Sequence, residues 1–385
     1  MNVYAGAENI ITSLGLTTEE NIGNILAGRS GIDIDASGTF APIALPLSKV
    51  DHAAVEERFA ALPRSGDGNF TALEKMFILS ISASLAMSDV DITADDTLII
   101  ITSTKGNIDL LDPGMSTIYG KKRVLLHEMA GAIGRYFGNP NPPLVVSNAC
   151  VSGVLGIVYG ERLIRSGRYR NVVVSGGDLM HEFIVSGFLS FQSLSMEPCR
   201  PYDSRRDGLT LGEGCATIIF GNNAHMLNND IPVMVLGGAG SNDANHISGP
   251  SRTGEGLYLA IRQAMENACT IAGEIDTISA HGTATDYNDE MEAKAFSTAG
   301  LENVPLNSYK GYIGHTLGAA GVIEAAIALQ SLRSNMLIRS AGYEEHGVTK
   351  NIKVIREPEK KVLATCLKTA SGFGGSNAAV IFRKP

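Results

Sequence analysis

The chain has 385 residues, of which 44% are apolar and 18% are charged, enough to build a large buried core over two or three structural units. Its net charge of −9 excludes nonspecific nucleic-acid binding as the main function. The first residues contain no basic segment followed by an apolar run, and the most apolar stretch, residues 144–160, is too short and too polar to span a bilayer. Five cysteines without metal-ligand spacing are typical of a reducing compartment. We therefore predict a cytoplasmic protein with no membrane segment, no nucleic-acid partner and no metal site.

The first half of the chain alternates short apolar runs with helical stretches. Buried strands are predicted at 97–102, 144–147, 172–175 and 216–220, and helices at 71–87, 123–137 and 151–166. This alternation favours a mostly parallel sheet covered by helices, which is an α/β architecture. Residues 38–70, which contain Pro42, Pro46 and Pro63, are predicted to be irregular.

The second half repeats the same kinds of element. The pattern predicts strands at 233–238, 275–280, 362–369 and 378–382, and helices at 254–272, 289–298 and 321–333. In each half a strand delivers a reactive residue to a sharp turn, Cys150 in the first and His281 in the second. We therefore predict an internal duplication, with residues 1–230 as one half, residues 231–385 as the other and the functional site between them.

The clearest candidate for a reactive side chain is Cys150, which follows an apolar run and three small or polar residues. A cysteine that opens a helix faces unpaired backbone N–H groups and the helix dipole, which lower the thiol pKa and favour the thiolate. Ser152, Gly153 and Gly156 are small and leave room for an acyl chain. Taken alone, the motif is also compatible with a buried structural cysteine.

Two histidines follow similar signals. His281 comes directly after a predicted strand and precedes Gly282, Thr283 and Thr285, so that an imidazole lies beside hydroxyl groups; an incidental histidine at a helix start is the alternative. His315 lies in a glycine-rich segment at 311–321 that matches neither the phosphate-loop spacing nor the dinucleotide pattern. A nucleotide site is therefore disfavoured.

A last glycine-rich loop, residues 371–377, surrounds Phe373 just before the final predicted strand. Its flexible backbone could direct N–H groups toward an oxyanion, although an ordinary turn has the same composition. Each of these motifs is ambiguous by itself. Their order and spacing together are far more specific.

In this order and spacing the motifs resemble those of the β-ketoacyl-acyl-carrier-protein synthases of the elongating type, in the thiolase superfamily. The resemblance covers nearly the whole chain and includes the Cys150 motif and segments 200–203, 206–208, 211–214, 281–285, 310–321 and 372–377. It implies a thiolase-like fold of two similar halves in a five-layered α-β-α-β-α architecture. Three positions depart from the family pattern: Asn148 stands where Thr is usual, Ala284 where Gly is common, and Tyr309 where Ser or Thr is common. These departures leave the acyl preference open.

The resemblance implies a mechanism. Cys150 would accept an acyl group from acyl-carrier protein, with the backbone N–H groups of Cys150 and Phe373 as oxyanion hole. His281 and His315 would then hydrogen-bond the thioester carbonyl of malonyl-carrier protein and stabilise the enolate formed on decarboxylation. That enolate would attack acyl-Cys150, while Phe373 would gate the acyl pocket.

Further roles follow from the same resemblance. Lys310 and Glu324 would form a buried pair that orients His315. Substrate binding is expected at Thr283, Thr285 and Gly374. The acidic carrier protein is expected to dock on Lys121, Lys122, Arg205 and Arg206, for which a solvated face is the alternative. No cofactor is implied, and a homodimer is expected.

Other members of the superfamily fit less well. Coenzyme-A thiolases resemble a Cys–His–Cys arrangement and initiating synthases use Cys–His–Asn, whereas the third element here is His315. The alternative function is a non-catalytic partner subunit of a secondary-metabolite ketosynthase complex. Chain-length-factor partners lack the cysteine, which is present here as Cys150.

Overall fold

The structure, a computed structural model, describes residues 1–63, 68–228, 230–244, 246 and 249–384, with the backbone alone at 116 and 117. Its strands are β1 (Tyr4–Ile11), β2 (Ile32–Asp35), β3 (Leu45–Ser48), β4 (Thr97–Thr102), β5 (Leu144–Val146), β6 (Asn171–Asp178), β7 (Leu211–Gly212), β8 (Gly214–Gly221), β9 (Val233–Asn242), β10 (Thr277–Ser279), β11 (Leu306–Asn307), β12 (Met336–Leu337), β13 (Glu359–Lys360), β14 (Thr365–Gly372) and β15 (Ser376–Arg383). Its α-helices are α1 (Thr18–Leu26), α2 (His52–Ala60), α3 (Ala72–Ala86), α4 (Met115–Tyr119), α5 (Leu126–Tyr136), α6 (Ser152–Arg165), α7 (Glu182–Ser190), α8 (Glu255–Asn267), α9 (Asp286–Thr298), α10 (Lys310–Ile313) and α11 (Ala320–Ser334).

The main sheet consists of two series of strands with the same order and directions. One series runs β5-β4-β6-β8-β1 and the other β11-β10-β14-β15-β9. In each, the first three strands are parallel and the last two are antiparallel to their neighbours. The series meet at the short pairing of β1 with β9, Tyr4 with Met234 and Ala5 with Val233. This repetition confirms the expected duplicated thiolase-like fold; the boundary at residue 230 stays a prediction.

The sheet is mixed, so the prediction of a mostly parallel sheet is wrong. The reason is local, because β14 and β15 are joined by a tight turn in which Gly374 and Gly375 adopt φ of 84° and 73°. Strands joined by such a short connection must run antiparallel. The two series also show that the strand before Cys150, β5, corresponds to β11 before His315, and not to β10 before His281.

The helices form three layers, one between the two series of strands and one on the outer face of each series. α6 and α11 lie between the two series of strands, α3 covers the outer face of the first, and α8 covers that of the second. The central helices touch through their backbones, because a Cβ atom added at Gly153 would lie 2.6 Å from the amide nitrogen of Val322. The same addition at Gly321 would lie 2.4 Å from the amide nitrogen of Val154. This contact brings the loops that precede α6 and α11 together.

Burial of apolar surface between these layers stabilises the fold. Between the strand series, side chains such as Val154, Ile157 and Val322 pack against the strands in one core cluster. A second core cluster lies under α3, and a third between α8, α9 and their strands. Across the described part of the chain, no helix combines the length and the apolar character needed to cross a bilayer.

Most of the predicted elements are present within a few residues of their expected bounds, with three exceptions. Residues 38–70, predicted to be irregular, contain β3 and α2. The side chain of Asp51 caps α2 by accepting a hydrogen bond from the amide of Ala54. Residues 64–67 of this segment lie outside the described residues. The helix expected at 123–137 is divided into a 3₁₀ helix, Lys121–Val124, and α5. β5 lies at the edge of the sheet and Leu144 is 41% exposed, so this strand is not buried on both faces.

Candidate active site

A strained turn positions Cys150. Ala149 adopts φ of 44°, a left-handed conformation that non-glycine residues seldom take. The hydroxyl of Ser152 holds this turn, since it accepts from the amide of Asn148 at 2.8 Å and donates to the carbonyl of Ala149 at 2.6 Å. Cys150 therefore lies between β5 and the first residue of α6, and it is only 8% exposed.

His315 lies directly against this thiol, with its Nε2 3.0 Å from the sulfur. Its backbone is fixed by β7, because its amide donates to the carbonyl of Thr210 at 2.7 Å and its carbonyl accepts from Gly212 at 3.0 Å. The amide of Leu317 donates to Nδ1 at 3.3 Å. Since Nδ1 accepts, the proton of the neutral ring lies on Nε2, which faces the sulfur.

His281 follows β10 and lies beside His315, with ring centroids 5.1 Å apart and planes at 83°. The ammonium of Lys310 donates to the His281 carbonyl at 2.6 Å and lies 3.3 Å from its Nδ1. An ammonium can only donate, so Nδ1 accepts and the proton of this neutral ring is also on Nε2. The Cys150 sulfur, one ring nitrogen of His281 and one ring nitrogen of His315 all lie within 4.8 Å of one another. The three predicted residues thus share one site.

One sulfur and two imidazole nitrogens at this separation are also a donor set that zinc accepts. The surroundings oppose a cation, because the fully buried ammonium of Lys310 already contacts His281. Hydrogen bonding to a developing anion suits the same electrostatics better.

Burial keeps both imidazoles neutral. Desolvation lowers the pKa of His281 and of His315 well below the ordinary value of 6.5, and the charge of Lys310 adds to this effect. Lys368 acts in the same direction on both rings. A neutral imidazole donates a hydrogen bond without placing another positive charge in the pocket.

Burial also determines the state of the nucleophile. Desolvation raises the pKa of the Cys150 thiol to about 11 and outweighs the opposing effects of Lys310, Lys105 and the backbone N–H of Phe373. This shift has the opposite direction to the lowering predicted from the helix N-terminus. The reason is that α6 begins at Ser152, two residues further along, while the sulfur lies in an enclosed pocket.

Behind the histidines lies a buried ionic cluster of Lys310, Glu324 and Lys368. One oxygen of the Glu324 carboxylate lies 2.5 Å from the Lys310 ammonium, and its other oxygen lies 2.8 Å from that of Lys368. The expected pairing of Lys310 with Glu324 is present, but Lys310 contacts His281 and not His315, so its orienting role moves to His281. Sequence reasoning missed Lys368, although a lysine inside an apolar strand such as β14 is an unusual signal.

The cluster predicts a large stability effect for Glu324→Ala. This change would leave two buried ammonium groups without their shared carboxylate, and we expect it to lower the free energy of unfolding by about 3–5 kcal/mol. Urea denaturation followed by circular dichroism would measure the loss. The matched control is Glu266→Ala, which removes a 65% exposed carboxylate from a surface pair and should cost less than about 1 kcal/mol. Equal losses in both variants would contradict a stabilising role for Glu324.

A cavity of about 350 Å³ opens onto the three reactive side chains. Thr283 and Thr285 line it, with their hydroxyl oxygens 2.9 Å apart. Phe373 lines it as well and stacks on Phe188 at 5.6 Å, with Phe191 edge-on at 5.5 Å. Sequence reasoning missed these two partner rings, because α7 carries no catalytic motif. Gly374 lies on the exposed turn beside Phe373 and does not line this cavity.

The basic residues selected for carrier docking divide into two kinds. Lys121 and Lys122 are exposed on their 3₁₀ helix. Arg205 is exposed but forms an ion pair with Glu344. The Arg206 side chain is only 9% exposed and donates to the carbonyls of Asp203 and Gly347, so its contacts are those of a residue that fixes a loop.

The sequence and fold were compared with those of known proteins. Residues 9–225 match the family described as "Beta-ketoacyl synthase, N-terminal domain", and residues 233–344 match "Beta-ketoacyl synthase, C-terminal domain". The chain is 28% identical over 415 residues to 3-oxoacyl-[acyl-carrier-protein] synthase 2 of Vibrio cholerae, covering 97% of each chain. It is 31% identical over 275 residues to the protein of the same name from Rhizobium meliloti, covering 68% of this chain and 65% of that protein.

Solved structures show the same fold. A ketosynthase from Xenorhabdus doucetiae, in complex with its chain length factor, superposes with a TM-score of 0.84 at 24% identity, covering 100% of this chain and 98% of that one. The two matching domain descriptions together span most of the chain and include Cys150, His281 and His315. The chain therefore belongs to the beta-ketoacyl synthase family.

Proposed function

We propose that this protein is a 3-oxoacyl-[acyl-carrier-protein] synthase that joins an acyl group on Cys150 to malonyl-carrier protein with loss of carbon dioxide. The observation that carries the proposal is the convergence of one thiol and two neutral imidazoles at the end of one cavity. Relatives that align over 97% of the chain bear the name of this activity. The pathway is fatty acid or polyketide biosynthesis.

In the first step the Cys150 sulfur attacks the thioester carbonyl of an acyl-carrier protein. A new thioester forms on Cys150, the bond to the carrier sulfur breaks, and the thiol proton leaves with the released carrier thiol. Nε2 of His315, 3.0 Å from the sulfur, stabilises the thiolate as it develops. The backbone N–H of Phe373 faces the same sulfur. Together with the N–H of Cys150, it would bind the oxyanion.

In the second step His281 and His315 bind the malonyl thioester. Their Nε2–H groups donate to its carbonyl oxygen, the bond to the carboxylate breaks, carbon dioxide leaves, and the electron pair remains as an enolate. The enolate carbon attacks the acyl carbonyl on Cys150 and forms the new carbon–carbon bond. The sulfur then leaves as a thiolate and takes one proton from water.

The proposed partners follow from this chemistry. An acyl-carrier protein brings both substrates, and exposed Lys121 and Lys122 are the candidates for contact with its acidic surface. Thr283 and Thr285 line the cavity and would contact the pantetheine arm or the malonyl group there. A homodimer and a cytoplasmic location remain predictions from the sequence.

The purified chain alone tests the proposal. Incubation with acyl-carrier thioesters of several lengths should add the acyl mass to the peptide that contains Cys150, and malonyl-carrier protein should then release carbon dioxide. The mass gained most quickly would identify the preferred acyl donor. A chain that takes up no acyl group and releases no carbon dioxide would instead be the non-catalytic partner subunit.

The pH dependence of condensation should reflect the two histidines. Their lowered pKa values mean that both rings stay neutral below pH 6.5, so carbon dioxide release should persist there and fall only at lower pH. Protonation would add an N–H group at Nδ1 of each ring. At His281 this group would face the Lys310 ammonium, and at His315 it would face the amide of Leu317, so that two donors would oppose each other in both cases. Rates of carbon dioxide release across pH would measure the midpoint, with circular dichroism at each pH as the control for unfolding. A midpoint at or above 6.5 would contradict this prediction.

A further inference from the structure

Lys368 is a buried lysine that the proposed mechanism does not use. It lies in β14, paired in register with Ser279 of β10, and its side chain is 0% exposed. A fully buried ammonium costs several kcal/mol unless its charge and donors are matched. The contacts of this ammonium should therefore reveal why it is tolerated.

The Lys368 ammonium is directed at the segment that carries His281. It donates to the carbonyl of Thr369 at 2.6 Å and to that of Ser279, at the end of β10, at 3.2 Å. Its further contacts are the carbonyl of Ala280, to which it donates at 3.4 Å, and the ion pair with Glu324 at 2.8 Å. The Lys368 ammonium thus meets the two carbonyls that directly precede His281 in the chain, together with the Glu324 carboxylate behind that histidine.

Glu324 connects Lys368 to the imidazole. One carboxylate oxygen is held by Lys368 and the other by Lys310, whose ammonium lies 3.3 Å from Nδ1 of His281. If Glu324 turned away, Lys310 would lose its ion-pair partner and the donor that fixes the His281 tautomer would be released. Lys368 therefore acts on His281 through two intermediates.

The cluster also carries an excess of positive charge. Two ammonium groups share the single carboxylate of Glu324, whereas the nearby Glu292 carboxylate accepts from the amides of His281 and Gly282. The charged or titratable groups facing Lys368 are Glu324 from α11, Lys310 from α10, Glu292 from α9, and Cys366 on its own strand. This excess favours neutral imidazoles and a negatively charged enolate in front of them.

We infer that Lys368 is a positioning residue for the condensation: it holds Glu324 so that Lys310 stays against His281, and it supplies the second positive charge behind both imidazoles. The inference rests on the proposed function, because it assigns the residue a role in that reaction. Lys368 is not among the described residues that line the cavity. Its effect should therefore be on the malonyl step and not on uptake of the acyl group.

Lys368→Gln and Lys368→Met test the inference, since both remove the charge and glutamine keeps a donor for Glu324. In both variants we expect acylation of Cys150 to stay within about twofold of wild type. The acidic midpoint of carbon dioxide release should move about one pH unit toward higher pH, because removal of a nearby positive charge raises the histidine pKa values. Lys368→Met, which also releases Glu324, should in addition lose about tenfold in kcat with little change in KM.

An NMR titration of ¹³C-labelled histidine provides a readout that does not depend on activity. The chain has eight histidines, and the signals of His281 and His315 are assigned from their single variants. In Lys368→Gln both signals should titrate at higher pH than in wild type. Unchanged histidine titration in a folded Lys368→Gln variant, together with an unchanged kcat in a folded Lys368→Met variant, would overturn the inference. Loss of acylation and of fold in both variants would also overturn it, because Lys368 would then be a purely structural residue. A wild-type chain that is acylated but releases no carbon dioxide would instead contradict the proposed function.

Discussion

Replacing Cys150 with alanine should abolish acyl uptake and reduce condensation by about 10³-fold or more, because Cys150 is the one thiol among the described residues that line the cavity. The His281 and His315 donors remain in place in this variant. Carbon dioxide release from malonyl-carrier protein should therefore survive, uncoupled from carbon–carbon bond formation. Intact-protein mass spectrometry and gas release would measure the two steps separately.

The matched control for this variant is Cys269→Ala. Cys269 is the exposed cysteine among the five, and its loss should change neither acylation nor condensation. Normal condensation by Cys150→Ala would refute the assignment of the nucleophile. Loss of both steps in that variant would point to a disturbed cavity, which the melting temperature would reveal.

Replacing His281 or His315 with alanine should reduce carbon dioxide release by about 10²–10³-fold each, as expected when one preorganised donor to an oxyanion is removed. Acylation of Cys150 should continue in both variants. It should be slower in His315→Ala, because this ring lies 3.0 Å from the sulfur whereas His281 contacts Lys310. Single-turnover acylation and steady-state gas release, measured on the same preparations, would show the difference.

His127→Ala serves as the control, because the His127 side chain is 72% exposed on α5 and lies outside the cavity. It should leave both steps unchanged. His281→Leu and His315→Leu would fill the space left by each ring without supplying a hydrogen-bond donor, and so distinguish loss of the donor from collapse of the pocket. If either alanine variant released carbon dioxide at the wild-type rate, that histidine would have no part in stabilising the enolate.

The sequence predicted much of this site because its chemistry is concentrated in short local motifs. Cys150 and His281 each follow an apolar strand, and His315 is surrounded by glycines that permit close approach of the backbone. Apolar periodicity located the strands β4, β6 and β8 because they are buried throughout their length. The direction of β15 depended instead on the tight turn before it, which periodicity alone does not reveal.

Features that depend on contacts between distant segments were not predictable. The role of Lys310 was assigned to His315, which is near in sequence, whereas in space its ammonium contacts His281. The buried ammonium of Lys368 is paired with the carboxylate of Glu324, which lies on α11, far from β14 in the sequence. The raised pKa of Cys150 likewise reflects enclosure by several elements, which a motif at one helix end cannot represent.

The contact of α6 with α11 through Gly153 and Gly321 limits which positions near the active site can accept substitutions. Main chain meets main chain there, so a larger residue at either glycine would push the nucleophile away from its histidine. Phe188 and Phe191, in contrast, reach the cavity from the side of α7, far from this junction in the chain. Efforts to engineer new substrate preferences should therefore vary the aromatic rings at the mouth and leave the glycine junction untouched.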